Sequence, residues 1–380
     1  RLKQGILLFD GAMGTQVQAL NPTDEEWGGK NGCTEVLNLT VPYKVQAIHE
    51  SYLLAGCDVV ETNTFGANEI VLADYGLQDR TVEINRIAAR IARRAVSRFQ
   101  DKPRFVAGSM GPGTKLVTLG QTDFDTMYQS YYAQATGLLE GQVDLFIIET
   151  CQDLLQIKVC LLAVRDAMAQ HQVRCPIIVS VTVETTGTLL VGSEIGAVLA
   201  ALAPFDIDVL GMNCATGPGH MRPFIKQICQ NFAGPVICQP NAGLPQNING
   251  EMVYTLSIDE FVDTLVDLIA EAGVQLVGGC CGTTPEYIAA LYRKTRSVTV
   301  KQRHPVKQWM VTSLFSPQTL HQDPGPFFVG ERANTNGSKK FREYLLQNDW
   351  DGILDIAREQ QNTGAHGLDL CVAYTGRDEV

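Results

Sequence analysis

Short apolar segments alternate with longer amphipathic segments along most of the chain. We predict eight strands, at residues 6–9, 58–61, 104–107, 144–149, 176–182, 209–213, 235–239 and 274–277. Their nearly continuous apolar character is typical of parallel strands that are buried on both faces. Eight strand–helix units therefore predict a (βα)8 TIM barrel of the α/β class. No G-x-G-x-x-G sequence follows the first predicted strand, which argues against an open dinucleotide-binding sheet.

The segments between these strands carry helix signals. Residues 84–99 repeat apolar side chains at helical spacing, with arginines between them. Ser257 and Glu260 are spaced as a capping box, and Thr284 precedes Pro285 as an N-cap precedes a first-turn proline. These signals predict helices after the second, seventh and eighth strands.

Polar and sulfur-containing residues stand where the predicted strands end. They are Asp10, Glu61, Asn63, Ser109, Glu149, Thr182, Asn213, Cys214, Asn241, Cys280 and Cys281. In a barrel of this kind, the loops that follow the strands carry the chemistry. We therefore expect these residues to converge on one rim.

Three of these residues predict a metal site. Cys280 and Cys281 are adjacent and flanked by glycines, so the backbone can turn both thiols toward one ion, and Cys214 is the natural third ligand. Three sulfur ligands without a histidine leave one zinc position free, which is typical of a catalytic site. The prediction is a Zn²⁺ ion that activates a sulfur substrate. A vicinal disulfide or two buried thiols are the alternatives for Cys280 and Cys281.

Charge and composition exclude other classes of function. The net charge is −11 and no long basic cluster occurs, which argues against nucleic acid or an anionic membrane as the main partner. No apolar run approaches about 18–20 residues, and the first residues lead into a strand rather than a cleavable signal, so we expect a cytoplasmic protein. The eleven cysteines form no repeating framework, which favours reduced thiols. Eight of them are expected to be small core residues, namely Cys33, Cys57, Cys151, Cys160, Cys175, Cys229, Cys238 and Cys371.

The character of the chain changes near residue 297. We predict a barrel domain at 1–297 and a proline-containing interdomain linker at 298–326. Residues 327–380 contain a strand near Phe328, one helix and a second strand at 367–372. One strand, helix and strand cannot close a barrel, so we interpret this segment as the truncated beginning of a second domain.

Four motifs in this order resemble the zinc-dependent homocysteine S-methyltransferases. They are FDGAMGT at 9–15, ETNTFG at 61–66, GMNC at 211–214 and GGCCGTTP at 278–285. Two later stretches, GERAN at 330–334 and GAHGLDL at 364–370, resemble the opening of the pterin-binding barrel found in the cobalamin-dependent methionine synthases of this family. One departure is that no Asn stands two residues after Asp369, as it does in many pterin domains.

The resemblance implies roles for individual residues. Cys214, Cys280 and Cys281 correspond to the zinc ligands. The loop of Asp10, Gly11, Ala12, Met13 and Gly14 would hold the amino-acid end of homocysteine, with backbone amides for its carboxylate. Glu149 would meet the ammonium group, and Thr182 and Asn213 would make further contacts. On the pterin side the corresponding residues are Glu331, Asn334 and Asp369.

The implied reaction is methyl transfer to sulfur. A free thiol is mostly protonated at neutral pH, and zinc coordination removes that proton while three thiolates preserve the nucleophilicity of the bound sulfur. The thiolate would attack the methyl group of methylcobalamin to give methionine, with methyltetrahydrofolate as the ultimate donor. The cobalamin-binding and reactivation domains would lie downstream of this chain.

Several alternatives remain open from the sequence. The methyl donor could instead be betaine or a methylsulfonium compound, or the protein could be a non-catalytic scaffold with a structural zinc. Asp10 could cap the turn at Gly11, Glu149 could form a structural ion pair, and Asn213 could brace a loop.

Overall fold

The computed structural model describes residues 5–248 and 251–376. The chain forms two compact units, Arg1–Lys307 and Gln308–Val380. The division falls inside the segment 298–326 that was predicted to be a linker. Residues 298–307 belong to the first unit, where the Arg303 guanidinium donates hydrogen bonds to the carbonyl oxygens of Cys229, Phe232 and Gly234.

The first unit alternates strands and helices. Its strands are β1 (Leu7–Leu8), β2 (Val59–Glu61), β3 (Phe105–Met110), β4 (Leu145–Cys151), β5 (Ile177–Val181), β6 (Val209–Asn213), β7 (Val236–Gln239), β8 (Pro245–Ile248), β9 (Glu251–Tyr254) and β10 (Leu276–Val277). Its helices are α1 (Met13–Ala19), α2 (Asp24–Trp27), α3 (Leu37–Thr40), α4 (Pro42–Ala55), α5 (Glu69–Ala73), α6 (Thr81–Ser97), α7 (Phe124–Glu140), α8 (Leu154–Gln170), α9 (Ile195–Leu202), α10 (Pro218–Asn231), α11 (Ile258–Asp267) and α12 (Pro285–Thr295).

Eight of the strands form one parallel sheet in the order β1-β10-β7-β6-β5-β4-β3-β2. A parallel bridge between Phe9 and Val59 joins the two ends of this sheet. The Asp58 amide donates to the Leu8 carbonyl oxygen at 2.6 Å, and the Leu8 amide donates to the Asp58 carboxylate at 3.0 Å. The sheet therefore closes, and the predicted (βα)8 barrel is confirmed.

The barrel interior has an apolar layer and, nearer the carboxyl ends of the strands, a polar layer. One cluster of buried residues fills it, drawn from all eight strands and consisting of Leu7, Phe9, Val59, Ala107, Ile147, Ile178, Val209, Ile237 and Leu276. Side chains alternate across a strand, so the residue two positions later also faces inward. That rule places Glu61, Ser109, Glu149, Ser180 and Gln239 above the apolar cluster. The polar layer therefore follows from strand periodicity, except at Glu149, where the ladder of β4 is interrupted between Ile148 and Cys151.

The helices pack outside the sheet as their sequences predict. Helix α6 buries Ile84, Ala88 and Ile91 on one face. The Ser257 hydroxyl accepts a hydrogen bond from the Glu260 amide at the start of α11, as expected. Thr284 stands at the N-cap of α12 before Pro285, but its hydroxyl bonds to Glu286 rather than to the helix amides.

An antiparallel hairpin that sequence analysis did not predict lies between β7 and α11. It pairs β8 with β9, with Pro245 opposite Tyr254. The segment is too polar to resemble the buried parallel strands. Its sequence signal is the Asn249-Gly250 pair, which favours a two-residue hairpin turn.

The second unit contains β11 (Met310–Thr312), β12 (Pro317–Thr319), β13 (Val329–Asn334), α13 (Lys339–Gln347), α14 (Trp350–Asn362) and β14 (Gly367–Cys371). Strands β13 and β14 pair in parallel, and a small core forms from Ala333, Phe341, Leu345 and Ile356. The prediction of a single helix was wrong. Asn348 adopts a left-handed conformation that ends α13, and the Asp349 carboxylate caps α14 at the Gly352 amide.

Candidate metal and substrate site

A cavity of about 210 Å³ opens at the carboxyl ends of the barrel strands. Its walls come from the carboxyl-terminal residues of β2, β3, β4, β6 and β7 and from the loops after β1, β2, β6 and β10. The polar and sulfur-containing side chains that line it include Asp10, Glu61, Ser109, Glu149, Asn213, Cys214, Gln239, Cys280 and Cys281. Nine of the eleven residues predicted for the rim line this cavity, and Thr182 and Asn241 do not.

Three cysteine sulfurs meet on one side of this cavity. The Sγ atoms of Cys214, Cys280 and Cys281 all lie within 4.8 Å of one another, and those of Cys214 and Cys281 are 4.0 Å apart. Among the described residues this is the one group of three or more His, Cys, Asp or Glu side chains arranged to hold a metal ion. All eleven cysteines are free thiols, so Cys280 and Cys281 form no vicinal disulfide.

The backbone around the trio is shaped to bring the sulfurs together. Cys214 and Ala215 both adopt left-handed conformations, with φ of 63° and 55°, and turn the chain sharply after β6. A Cβ on Gly279 would lie 2.2 Å from the Thr283 hydroxyl oxygen, and Gly282 has a φ of 79°. Both glycines are therefore required for the turn that carries Cys280 and Cys281.

The distances between the sulfurs suit one tetrahedral ion. With Zn–S bonds of about 2.3 Å, ligand sulfurs lie about 3.8 Å apart. The observed separations exceed that value by less than about 1 Å. The trio fits zinc with small side-chain adjustments, and the site offers three protein sulfurs rather than four.

The ionisation of the three thiols is interdependent. Hydrogen bonds from Cys214 and Cys280 lower the pKa of Cys281 to about 3, and the Tyr254 phenol, on β9, also donates to its sulfur. Hydrogen bonding to Cys214 and Cys281, with burial, holds the pKa of Cys280 well above its usual value. One thiolate is thus stabilised by two thiols, and a bound cation would be needed to ionise all three.

Three carboxyl groups line the same cavity. The Glu149 carboxylate accepts a hydrogen bond from the Ser109 hydroxyl at 2.5 Å. The Glu61 carboxylate accepts one from the Gln239 amide at 2.7 Å. One oxygen of Asp10 accepts from the Glu61 amide at 3.0 Å, and the other has no hydrogen-bond partner among the described residues.

Burial raises the pKa values of all three carboxyl groups. Burial raises the pKa of Glu149 to about 7 against the opposing effect of the Ser109 hydrogen bond. Burial, then repulsion from Glu149 and Asp10, raises the pKa of Glu61, and burial also raises the pKa of Asp10 well above its usual value. A bound cationic group would favour their ionised forms, so this part of the cavity suits an ammonium ion.

The loop after β1 forms the adjoining wall. A Cβ on Gly11 would lie 2.7 Å from the Thr283 carbonyl oxygen and 2.9 Å from the Tyr52 ring, so only glycine fits there. The Tyr52 phenol holds this loop by donating to the carbonyl oxygens of Ala12 and Thr283. Helix α1 begins at Met13, and within the described structure no side chain caps its first turn. Its amide groups are available to an anion.

Asn213 and Thr182 differ from the remaining predicted contacts. Asn213 is 1% exposed, and its amide bonds to Thr150, Ser180 and Glu149. The Thr182 hydroxyl donates to the Asn213 carbonyl oxygen at 2.9 Å, and Thr182 is not part of the cavity wall. Asn213 lines the cavity and Thr182 does not, and their roles as substrate contacts stay predictions.

Sequence analysis gave no role to three residues that the structure brings into the cavity. Glu61 and Ser109 stood among the strand-end residues, and Gln239 was not singled out. Each lies two positions after a core residue of its strand, at Val59, Ala107 and Ile237. That spacing is the signal that would have found them.

The predicted pterin-side residues lie in the second unit. Glu331 and Asn334 are on β13, and Asp369 is on the adjacent parallel strand β14. Glu331 and Asp369 are exposed, while Asn334 is half-buried and accepts hydrogen bonds from the amides of Asn336 and Gly337. Their role in binding a pterin stays a prediction.

Comparison with known sequences decides the family. The profile of the family described as homocysteine S-methyltransferase matches residues 7–295. The chain belongs to the homocysteine S-methyltransferase family. Its membership confirms the resemblance carried by the four motifs and the assignment to the methyltransferases.

Relatives of this family member include two long proteins. The methionine synthase of Mycobacterium tuberculosis (strain ATCC 25618 / H37Rv) is 45% identical over 381 residues. That of Mycobacterium leprae (strain TN) is 45% identical over 386 residues. Each alignment covers 100% of this chain and 32% of the relative, so the chain spans about a third of their length.

Solved structures share the fold. The homocysteine methyltransferase MmuM from Escherichia coli in its metallated form gives a TM-score of 0.62 at 24% identity, covering 77% of this chain and 97% of that chain. Its oxidized form gives a TM-score of 0.60 at 23% identity, with the same coverage.

No helix within residues 5–248 and 251–376 is long and apolar enough to cross a bilayer.

Proposed function

We propose that the first unit binds Zn²⁺ and homocysteine and activates the homocysteine thiol for methylation. The observation that carries this proposal is the meeting of three cysteine sulfurs and three carboxyl groups in one cavity. One end of the cavity suits a thiophilic metal and the other suits an ammonium group. Homocysteine carries a thiol at one end and an α-ammonium at the other.

The metal end prepares the thiol. We assign Cys214, Cys280 and Cys281 as the ligands of zinc, leaving one position for the substrate sulfur. Bound zinc would supply a Lewis acid that lowers the pKa of a coordinated thiol, so that the proton is released to solvent. The three cysteine thiolates keep electron density at the site, so the substrate sulfur stays nucleophilic.

The other end orients the amino acid. Glu149 accepts the α-ammonium group. The carboxylate of Glu61 and the Asp10 oxygen that has no hydrogen-bond partner among the described residues also line the cavity. The loop from Asp10 to Gly14 leads into α1, whose first-turn amides receive the carboxylate of the substrate.

The size of the cavity favours a small amino acid. Its volume of about 210 Å³ is below the range of about 300–1,000 Å³ for sites that hold drug-sized ligands. A corrinoid would not fit inside it. The methyl group must therefore reach the sulfur through the open end of the barrel, carried by a donor that stays outside.

We assign that donor as methylcobalamin, with methyltetrahydrofolate as the ultimate source of the methyl group and methionine as the product. Support comes from the two methionine synthases that align with the whole chain, including its second unit. In this assignment the second unit begins a pterin-binding domain in which Glu331, Asn334 and Asp369 face the folate. Cobalamin-binding and reactivation domains would lie in the remaining length of such a protein. The eleven free thiols of this chain suit the reducing cytoplasm.

Cobalt substitution tests the metal and substrate assignments together. The Co²⁺-loaded chain should change its visible absorption when homocysteine is added and should not change with methionine, which lacks a free thiol. A structural metal site would give no change with either compound. An assay of methyl transfer from methylcobalamin, betaine and S-methylmethionine then identifies the donor, and activity with betaine or S-methylmethionine alone would refute the cobalamin assignment.

A further inference from the structure

We infer that Asn213 is a positioning residue that aims the Glu149 carboxylate into the cavity by holding Thr150 in a left-handed conformation. The role in substrate binding rests on the proposed function, because Glu149 is the proposed ammonium acceptor. The structural role does not depend on it. From the sequence, Asn213 was a possible substrate contact or a loop brace, and its hydrogen bonds support the second of these roles.

The backbone at Thr150 is unusual. Thr150 has a φ of 57°, a conformation that β-branched residues rarely adopt because the Cβ approaches the following carbonyl oxygen. The parallel ladder between β4 and β5 is regular up to Ile148 and resumes at Cys151. Glu149 and Thr150 thus stand in a bulge, the kind of irregularity that redirects a side chain next to a functional site.

The Asn213 side chain forms two hydrogen bonds to this bulge. Its Oδ1 accepts a hydrogen bond from the Thr150 amide at 2.9 Å, and its Nδ2 donates to the Thr150 hydroxyl at 2.7 Å. The Ser180 hydroxyl also donates to Oδ1, at 2.7 Å, and fixes the orientation of the amide. The left-handed conformation of Thr150 is therefore stabilised from outside its own strand.

The hydrogen-bonding capacity of Asn213 is fully used. A carboxamide offers two acceptor positions on oxygen and two donor hydrogens on nitrogen. The Thr150 amide and the Ser180 hydroxyl take the two acceptor positions, and Thr150 Oγ1 and Glu149 Oε2, the latter at 3.3 Å, take the two donors. No hydrogen-bonding position of the Asn213 side chain remains for a substrate, so Asn213 acts through the residues that it contacts.

Glu149 is held from two sides as a result. Ser109 donates to one carboxylate oxygen and Asn213 to the other. Asn213 also precedes Cys214, and its Nδ2 lies 3.9 Å from the Cys280 sulfur. A single side chain therefore links the part of the cavity that suits an ammonium group to the part that suits a metal.

Crystal structures of two variants test the structural role. In Asn213→Ala, both hydrogen bonds to Thr150 are lost, so Thr150 should leave the left-handed region and Glu149 should leave Ser109. In Asn213→Asp, a side-chain oxygen can still accept from the Thr150 amide and the Ser180 hydroxyl. The NH2 group that donates to Thr150 and Glu149 is replaced by a second oxygen. Thr150 should then stay left-handed while Glu149 turns away from residue 213. A Thr150 φ near 57° with an intact Ser109–Glu149 bond in Asn213→Ala would overturn the inference.

Homocysteine titration calorimetry on the zinc-loaded chain tests the functional role. Both variants should bind homocysteine at least tenfold more weakly than the wild type does. Their affinity for 4-mercaptobutyrate, which lacks the amine, should fall by less than threefold. Adding Thr150→Gly to Asn213→Ala should recover at least half of the lost affinity on a logarithmic scale, because glycine adopts the left-handed conformation without support. Equal losses for both thiols, or no recovery, would overturn the positioning role.

Asn85→Ala is the matched control. Asn85 is also fully buried and its amide bonds to the carbonyl oxygens of Ala67 and Thr81, outside the cavity wall. Its loss should leave homocysteine affinity within twofold of the wild type, although the chain becomes less stable. A wild-type chain that holds zinc but binds no homocysteine would refute the proposed function, while the crystal structures would still decide the role of Asn213.

Discussion

The sulfurs of Cys214 and Cys281 lie 4.0 Å apart, although 67 residues separate them in the chain. Strand β7 stands between β6, which precedes Cys214, and β10, which precedes Cys280 and Cys281. The loop after β7 is hydrogen-bonded to the loop after β10, where the Ala242 amide donates to the Cys281 carbonyl oxygen. The candidate metal site is therefore a product of the closed barrel rather than of a local motif, and a bound ion should stabilise the fold.

Replacing a ligand should abolish metal binding. In Cys214→Ser and Cys281→Ser, we expect zinc content to fall from about one ion per chain to near zero after dialysis, because two remaining thiolates hold zinc weakly. Elemental analysis of reduced protein measures this. Cys175→Ser is the control, since Cys175 is a partly exposed thiol outside the trio, and it should keep its zinc. Full zinc content in Cys281→Ser would exclude the trio as the ligand set.

Two neighbouring glycines should respond oppositely to alanine. In Gly11→Ala, the new methyl group would collide with Thr283 and Tyr52, so we expect a loss of about 1–3 kcal/mol in unfolding free energy and weaker homocysteine binding. In Gly14→Ala, no atom lies within 4 Å of the new methyl group and the residue is helical. We expect a gain of about 0.5–1 kcal/mol. Urea unfolding distinguishes the two, and equal effects would contradict the packing described at Gly11.

The stability of the metal-free protein should decrease as the pH rises. The pKa of Glu149 is raised in the folded state, to about 7, so the folded chain binds this proton more tightly than the unfolded chain does. The resulting stabilisation is complete below the unfolded pKa of about 4.5 and is lost as the pH rises through 7. The expected loss is on the order of 3 kcal/mol.

Glu149→Gln should remove the part of this pH dependence that Glu149 contributes, because the amide does not titrate in this range, while the raised pKa values of Asp10 and Glu61 leave a smaller decrease. Urea unfolding at intervals between pH 5 and 8 measures the difference between the two proteins. A wild-type protein whose stability rises over this interval would show that Glu149 is ionised in the empty cavity.

Thr182 should prove structural. Thr182→Val removes the hydroxyl that donates to the Asn213 carbonyl oxygen and leaves a buried acceptor without this partner. We expect a loss of about 1–2 kcal/mol in unfolding free energy and a change in homocysteine affinity of less than about threefold. Denaturant unfolding and calorimetry measure the two quantities. A tenfold loss of affinity without destabilisation would place Thr182 against the substrate.

The barrel and the convergence of the three cysteines were predictable because each depends on a strong local pattern. Buried parallel strands are apolar along their length, and the Cys280-Cys281 pair between glycines has few structural explanations. The register of the strands then placed Cys214 beside that pair. Glu149 was predictable as a carboxyl group at the end of a buried strand, where burial without a purpose is costly.

Other features depend on contacts between distant segments and could not be predicted. The bulge at Thr150 exists because Asn213, on another strand, supplies its hydrogen bonds. The sequence around Thr150 contains no glycine or turn signal. The raised pKa values of Asp10, Glu61 and Glu149 likewise follow from their burial together in one cavity. The second helix of the C-terminal unit was missed because Asn348 gives a weaker stop signal than glycine.

X-ray absorption at the zinc edge tests the central assignment most directly, since it counts sulfur ligands without depending on turnover. The zinc-loaded chain should show three sulfur ligands and one nitrogen or oxygen ligand, and addition of homocysteine should give four sulfurs at about 2.3 Å. Cys175→Ser should behave in the same way. A zinc site whose sulfur count stays at three when homocysteine is saturating would contradict the activation of homocysteine by direct coordination.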